Sequence, residues 1–214
     1  GRSFPELREF DLHDLPFSGK ILLNGQLIFD ENDRIVYQRN IEDPLKEKIV
    51  TAFKEKQIPI FLSVADRNFL NYADENVMAI QQEISSDPPH IKEYEGEDFC
   101  MATAFVTSPA QLELILSLRD IAEVTYWFEG ACDIVPKGIS KSVGIREALN
   151  IRKIDISETM AFGDGENDVE MLEECAIGVA MGNSYEGLKE AADYITDNID
   201  DDGVYNALKH YGLI

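Results

Sequence analysis

The sequence predicts an α/β protein, a doubly wound parallel-sheet core interrupted by an inserted α+β module. Three observations predict it. After Gly130, short apolar strands alternate strictly with helical segments, which means a parallel sheet with helices on both faces. Between Pro44 and Gly130 that rhythm is absent, and strands and helices follow one another in a different order. An acidic loop with two glycines, Gly163-Asp164-Gly165-Glu166-Asn167-Asp168, joins a strand to a helix, where open α/β sheets bind ligands.

Phe4, Leu7 and Phe10 stand at helical spacing near the N-terminus, with Ser3 or Pro5 placed to begin the helix. Lys20 to Asn40 reads as a hairpin. Ile21-Leu22-Leu23 and Gln26-Leu27-Ile28-Phe29 flank Asn24-Gly25, and Asp30-Glu31-Asn32-Asp33 turns the chain into Ile35-Val36-Tyr37. Pro44 suits the first turn of a helix whose apolar stripe is Leu45, Ile49, Val50 and Phe53. The middle module continues with strands at 58–64 and 69–72, a helix at 75–84, a loop at 85–98 holding Pro88-Pro89, a strand at 101–106, a helix at 109–118 and a strand at 124–128. Tyr126, Trp127 and Phe128 are expected in its core rather than as a substrate platform.

Ile134-Val135 then opens the alternating part as a strand. A helix follows at 140–149, with Ser140 placed to cap it. Next come strand 159–162, helix 166–174, strand 177–180, a helix-to-strand passage at 191–195 and a closing helix at 204–211. The predicted domains are a core of residues 1–40 and 131–214 and an insertion of residues 41–130. No internal repeat or low-complexity segment is present.

In 214 residues, 41 acids against 19 bases leave a formal charge of −22. That argues against nucleic acid or an anionic membrane surface as partner, since both need basic patches. Cys100, Cys132 and Cys175 lie far apart without metal-site spacing and read as buried free thiols of a reducing compartment. His13, His90 and His210 form no pattern and read as surface or packing residues. There is no apolar run of transmembrane length and no signal-peptide stretch, so the expected location is the cytoplasm. Nothing in the pattern marks an oligomer interface.

The acidic loop carries the chemistry. An isolated Asp-Gly pair would read as a solvated turn, but six specified positions between strand and helix favour a metal site. Its hard oxygen donors suit Mg²⁺, which takes one or two carboxylates and keeps its other positions for water and phosphate oxygens. Asp164 is the candidate for the direct ligand.

GDGENDVEML resembles the fourth motif of the haloacid dehalogenase superfamily, in the form used by its Cof-type sugar-phosphate phosphatases. Pro136-Lys137-Gly138-Ile139-Ser140-Lys141 is similar to the third motif of that superfamily. Ala180-Met181-Gly182-Asn183 and the segment from Thr196-Asp197 to Asp202-Gly203-Val204 resemble its C-terminal signature. The resemblance implies a Rossmann-like core and a cap of the C2B type over residues 41–130 that closes over the active site and selects the substrate. It also implies Lys141, in preference to Lys137, as the cation on the phosphoryl group and the nucleophile. Asp168 would support the metal ligand from behind, and Asn167 would donate to a phosphate oxygen. Glu166 is left open between a role and simple exposure. Asn24-Gly25 is similar to an asparagine-glycine segment facing the site, though a plain hairpin turn explains it as well.

The reaction implied uses an aspartyl-phosphate, formed by the first carboxylate of an Asp-x-Asp-Gly segment that ends an apolar strand. No strand of this sequence ends so. Asp11-Leu12-His13-Asp14 has the wrong spacing, Asp30-Glu31-Asn32-Asp33 is a hairpin turn, and Asp200-Asp201-Asp202 lies in the C-terminal loop. Gly1-Arg2-Ser3 resembles the tail of the second motif, which gives Gly1 a place beside the phosphate. The expectation is thus an N-terminally truncated phosphatase, inactive as it stands, whose parent hydrolyses small phosphorylated metabolites such as sugar phosphates with Mg²⁺. A phosphomutase, or a binding protein without catalysis, would share most of these features.

Overall fold

The computed structural model describes residues 1–9, 15–87 and 90–214. Phe10, the Asp11-Leu12-His13-Asp14 stretch and Pro88-Pro89 lie outside the described residues. The chain forms two compact units, Gly1–Ile139 and Ser140–Ile214.

In the first unit, helix α1 (Phe4–Glu9) precedes a three-stranded antiparallel sheet of β1 (Gly19–Leu22), β2 (Leu27–Asp30) and β3 (Ile35–Gln38). The turn from β1 to β2 holds Leu23, Asn24 and Gly25 at φ values of 51°, 54° and 97°. Glycine and asparagine tolerate that region, but leucine does not. Leu23 is held there by complete burial of its side chain.

The rest of the unit is a five-stranded sheet with three helices. Its strands are β4 (Ile60–Ser63), β5 (Asn68–Leu70), β6 (Met101–Phe105), β7 (Ala122–Phe128) and β8 (Ala131–Pro136), in the spatial order β5-β4-β6-β8-β7 with every neighbour antiparallel. Helices α2 (Leu45–Lys54), α3 (Glu75–Glu83) and α4 (Pro109–Leu116) connect them. Asp74 caps α3 by accepting from the Val77 N–H at 2.9 Å, and Ser108 caps α4 with Pro109 in its first turn. One face of the sheet, with Ile60, Leu62, Ala104 and Ile134, joins Ile49 and Phe53 of α2 and Ile115 of α4 in the main apolar core.

Ile134-Val135 does not open the parallel alternation. It lies inside β8, antiparallel to both β6 and β7. The reason is local: Glu129 and Gly130, the latter at φ 81°, return the chain directly from β7 to β8, and so short a link can only make a hairpin. The units therefore divide between Ile139 and Ser140, past the boundary expected at Gly130.

The second unit is the alternating one. Helix α5 (Lys141–Arg152) leads to β9 (Met160–Gly163), α6 (Val169–Glu174), β10 (Ile177–Ala180), α7 (Glu186–Ala191), β11 (Tyr194–Ile195) and α8 (Gly203–His210). The strands are parallel in the order β11-β10-β9. Ala161, Leu172, Cys175, Ala180 and Leu188 form its core. Gly178 lets α6 approach β10, since a Cβ there would stand 2.6 Å from the Leu172 carbonyl oxygen.

Several smaller expectations find their outcome here. The three cysteines are free and buried, and burial pushes the Cys100 and Cys132 thiols up to about 12. His90 is exposed, and His210 stacks on Tyr194 with ring centroids 4.3 Å apart. Ser140 does not cap α5, because its hydroxyl pairs with that of Ser142. Tyr126 and Trp127 are not core, being 37% and 38% exposed. No helix among the described residues is long and apolar enough to cross a membrane.

Candidate active site

In the second unit the acidic loop begins where β9 ends. Glu166 to Asp168 form a single 3₁₀ turn before α6, so the predicted helix starts with a tighter turn. Asp168 is buried at this point and is the anchor of the loop. Its Oδ2 accepts from the backbone N–H groups of Asp164 and Gly165, each at 3.0 Å, and its Oδ1 accepts from Lys141 Nζ at 2.5 Å. Charge-assisted bonds of this kind are short and fix geometry. Gly163 makes room for the arrangement, since a Cβ there would lie 2.6 Å from the Asp168 Cβ.

Lys141, the first residue of α5, also reaches Asn167 Oδ1 at 3.3 Å. With the amide oxygen turned to the ammonium, the Asn167 NH₂ group is the end left to donate. Asp164 is exposed and next to the anchored backbone, a free carboxylate at the carboxyl end of a parallel strand. Glu166 is exposed as well. Lys137 belongs elsewhere: it is exposed and pairs with Glu123 at 3.3 Å. The structure thus brings Lys141, Asp164, Asn167 and Asp168 together.

Gly1 and Asn24 meet in the first unit, around Asp133. Asn24 Nδ2 donates to Asp133 Oδ2 at 3.0 Å, and the Gly1 nitrogen lies 3.1 Å from the same oxygen. Asn24 has therefore committed its donor to a carboxylate and presents only its acceptor oxygen, which does not suit a phosphate oxygen. Thr103 Oγ1 and Trp127 Nε1 bond Asp133 Oδ1 at 2.8 and 3.1 Å. Sequence reasoning missed this buried cluster. Its signal was a lone acid inside the apolar strand Ala131-Cys132-Asp133-Ile134-Val135, since buried acids are nearly always partnered.

The model of the haloacid dehalogenase-like hydrolase family matches residues 1–208. The chain belongs to that family. The Bacillus subtilis (strain 168) protein YkrA is 30% identical over 223 residues, covering 98% of this chain and 80% of YkrA. The B. subtilis 5-amino-6-(5-phospho-D-ribitylamino)uracil phosphatase YcsE is 41% identical over 76 residues, 36% of this chain and 30% of YcsE. Among solved structures, the haloacid dehalogenase subclass IIB sugar phosphatase BT4131 superposes with a TM-score of 0.80 at 32% identity, over 98% of this chain and 80% of that one. The phosphatase BT1666 from Bacteroides thetaiotaomicron gives a TM-score of 0.84 at 28% identity, over 100% of this chain and 80% of that one. The Cof-type resemblance and the α/β class with core and cap are thereby borne out, and this haloacid dehalogenase-like hydrolase stands among enzymes acting on phosphate esters.

Proposed function

We propose that the protein is a Mg²⁺-dependent phosphomonoesterase of small phosphorylated metabolites such as sugar phosphates. The observation that carries this reading is the clamped loop: one buried aspartate holds both a lysine and the backbone beside an exposed aspartate. Among the described residues no three His, Cys, Asp or Glu side chains cluster as a metal site. That fits Mg²⁺ with phosphate, because this ion is content with one or two carboxylates and otherwise takes water and phosphate oxygens. Asp164 would hold it, with Asp168 fixing the loop from behind, and the ion would neutralise charge on the phosphoryl group.

Lys141 supplies the second positive charge, and Asn167 donates from its free NH₂ end to a phosphoryl oxygen. In a chain of formal charge −22 such cations weigh heavily, since the bulk field repels the substrate. The reaction also needs an attacking aspartate, which forms and then releases an aspartyl-phosphate. The five-stranded sheet and its helices, which run past residue 130 through β8, serve as the substrate-selecting cap. The test is release of inorganic phosphate from 4-nitrophenyl phosphate by the full-length protein. Activity should vanish in EDTA and return with added Mg²⁺; turnover indifferent to the chelator would refute the reading.

A further inference from the structure

Helix α3 presents two unlike faces. Val77 and Ile80 turn to the sheet and join Leu70, Phe105 and Ala131 in an apolar cluster. Along other positions of the same helix lies a cavity of about 780 Å³, within the size range of small-molecule sites. Asp74, Glu75, Met78, Ala79, Gln81 and Gln82 line it. Their spacings of three, four and seven residues put them on one stripe of the helix.

The stripe carries three kinds of group in order. At its start stand two carboxylates, the exposed Glu75 and Asp74, which caps the helix with one oxygen on the Val77 N–H at 2.9 Å. In the middle is Met78, 46% exposed, a soft thioether that adapts to irregular apolar partners. At the end are two carboxamides. Gln81 is only 7% exposed, and among the described residues its carboxamide has no hydrogen-bond partner. An amide so deep is ordinarily paired, and here the side open to it is the cavity.

A helix N-terminus by itself attracts anions, with about half a positive charge. Two full carboxylate charges in the same turn outweigh it, and among the described residues no lysine or arginine lines the cavity. This end therefore selects a cation. A bare metal ion suits it poorly, since no three His, Cys, Asp or Glu side chains gather among the described residues and the next wall is a thioether and a methyl group. Methylene groups suit that wall. From Glu75 to Gln82 the helix rises about 10 Å, so the cavity fits an extended chain with an ammonium at each end. The carboxamide oxygens of Gln81 and Gln82 can accept from the far one.

We propose that this cavity binds an aliphatic polyamine of the spermidine class. Asp74 and Glu75 hold one ammonium, Met78 and Ala79 pack on the methylenes, and Gln81 and Gln82 accept from the other end. The site is independent of the phosphatase reading above.

A chain of formal charge −22 attracts any cation, so the readout must belong to this cavity. Met78 provides it, as one of five methionines. The protein is labelled at its methionine methyl carbons and titrated with spermidine at physiological salt and excess Mg²⁺, which screen diffuse attraction. The Met78 resonance, identified by its loss in Met78→Leu, should shift saturably while those of the buried Met101 and Met181 stay in place. Glu75→Gln should weaken binding about fivefold, the upper scale of an exposed ion pair. Glu113→Gln, which removes the same charge from the exposed face of α4, should change it less than about twofold. Ala79→Trp fills the cavity from an exposed helix position and should abolish the response without lowering the melting temperature appreciably. The site is overturned if the Met78 signal ignores spermidine, if all methionine signals drift together without saturating, or if Ala79→Trp binds like the parent. Equal weakening by Glu75→Gln and Glu113→Gln also overturns it. So does tighter binding of a tetralysine peptide, which would assign the cavity to a protein partner.

Discussion

Asp168 shows how one side chain sets the geometry of the proposed site. Both of its oxygens are engaged, one by an ammonium and the other by two backbone N–H groups, so it stabilises the loop. Asp168→Ala would leave those donors and the Lys141 charge without an acceptor in a buried place. Urea unfolding should then show a loss of about 3 kcal/mol, the scale of stranding buried donors and one partner of a charge pair. Asp168→Asn keeps one carbonyl oxygen and the same shape, and should lose distinctly less. Equal midpoints for both variants and the parent would mean that the loop holds itself. The acidic loop was legible as a strand-to-helix junction because a strand, two glycines and a helix frame it, while the supporting place of Asp168 came from the family resemblance. Asp133 was not legible, because its importance comes from Thr103, Asn24 and Trp127, which only strand pairing and a hairpin turn bring to it.

Among the elements, helices and strands of the second unit follow the sequence pattern closely, since each βα step is local. The antiparallel sheet was harder to read. Ile134-Val135 is equally apolar in a parallel or an antiparallel setting, and the hairpin at Glu129-Gly130 decides between them. The segment entering β6 carries its own electrostatic clamp. Burial works against the charge of Glu97, but Lys92 and the backbone N–H groups of Glu95 and Glu97 outweigh it and hold the carboxyl down at about 2. A carboxyl lowered on folding adds stability above its unfolded value, and that contribution is lost as pH falls from about 4.5 toward 2. Glu97→Gln should therefore flatten the acid limb of a stability-versus-pH curve over that window. A limb as steep as that of the parent would show that other carboxylates govern it.

For the whole molecule, a charge of −22 makes the few fixed cations decisive. In the proposed function an exposed carboxylate would take the metal and a pinned lysine the phosphoryl charge. The family was readable from motifs that cluster after Cys132, and the α/β class from the alternation there. The extent of the five-stranded sheet was not, because its last strand, Ala131–Pro136, lies past the expected boundary. The most direct measurement is phosphate release by full-length protein carrying Asp164→Ala, at saturating Mg²⁺ and with 4-nitrophenyl phosphate as substrate. If Asp164 holds the metal, kcat/KM should fall about a thousandfold or more, the scale of removing a main source of transition-state charge stabilisation. Hydrolysis by that variant at the parental rate would contradict it.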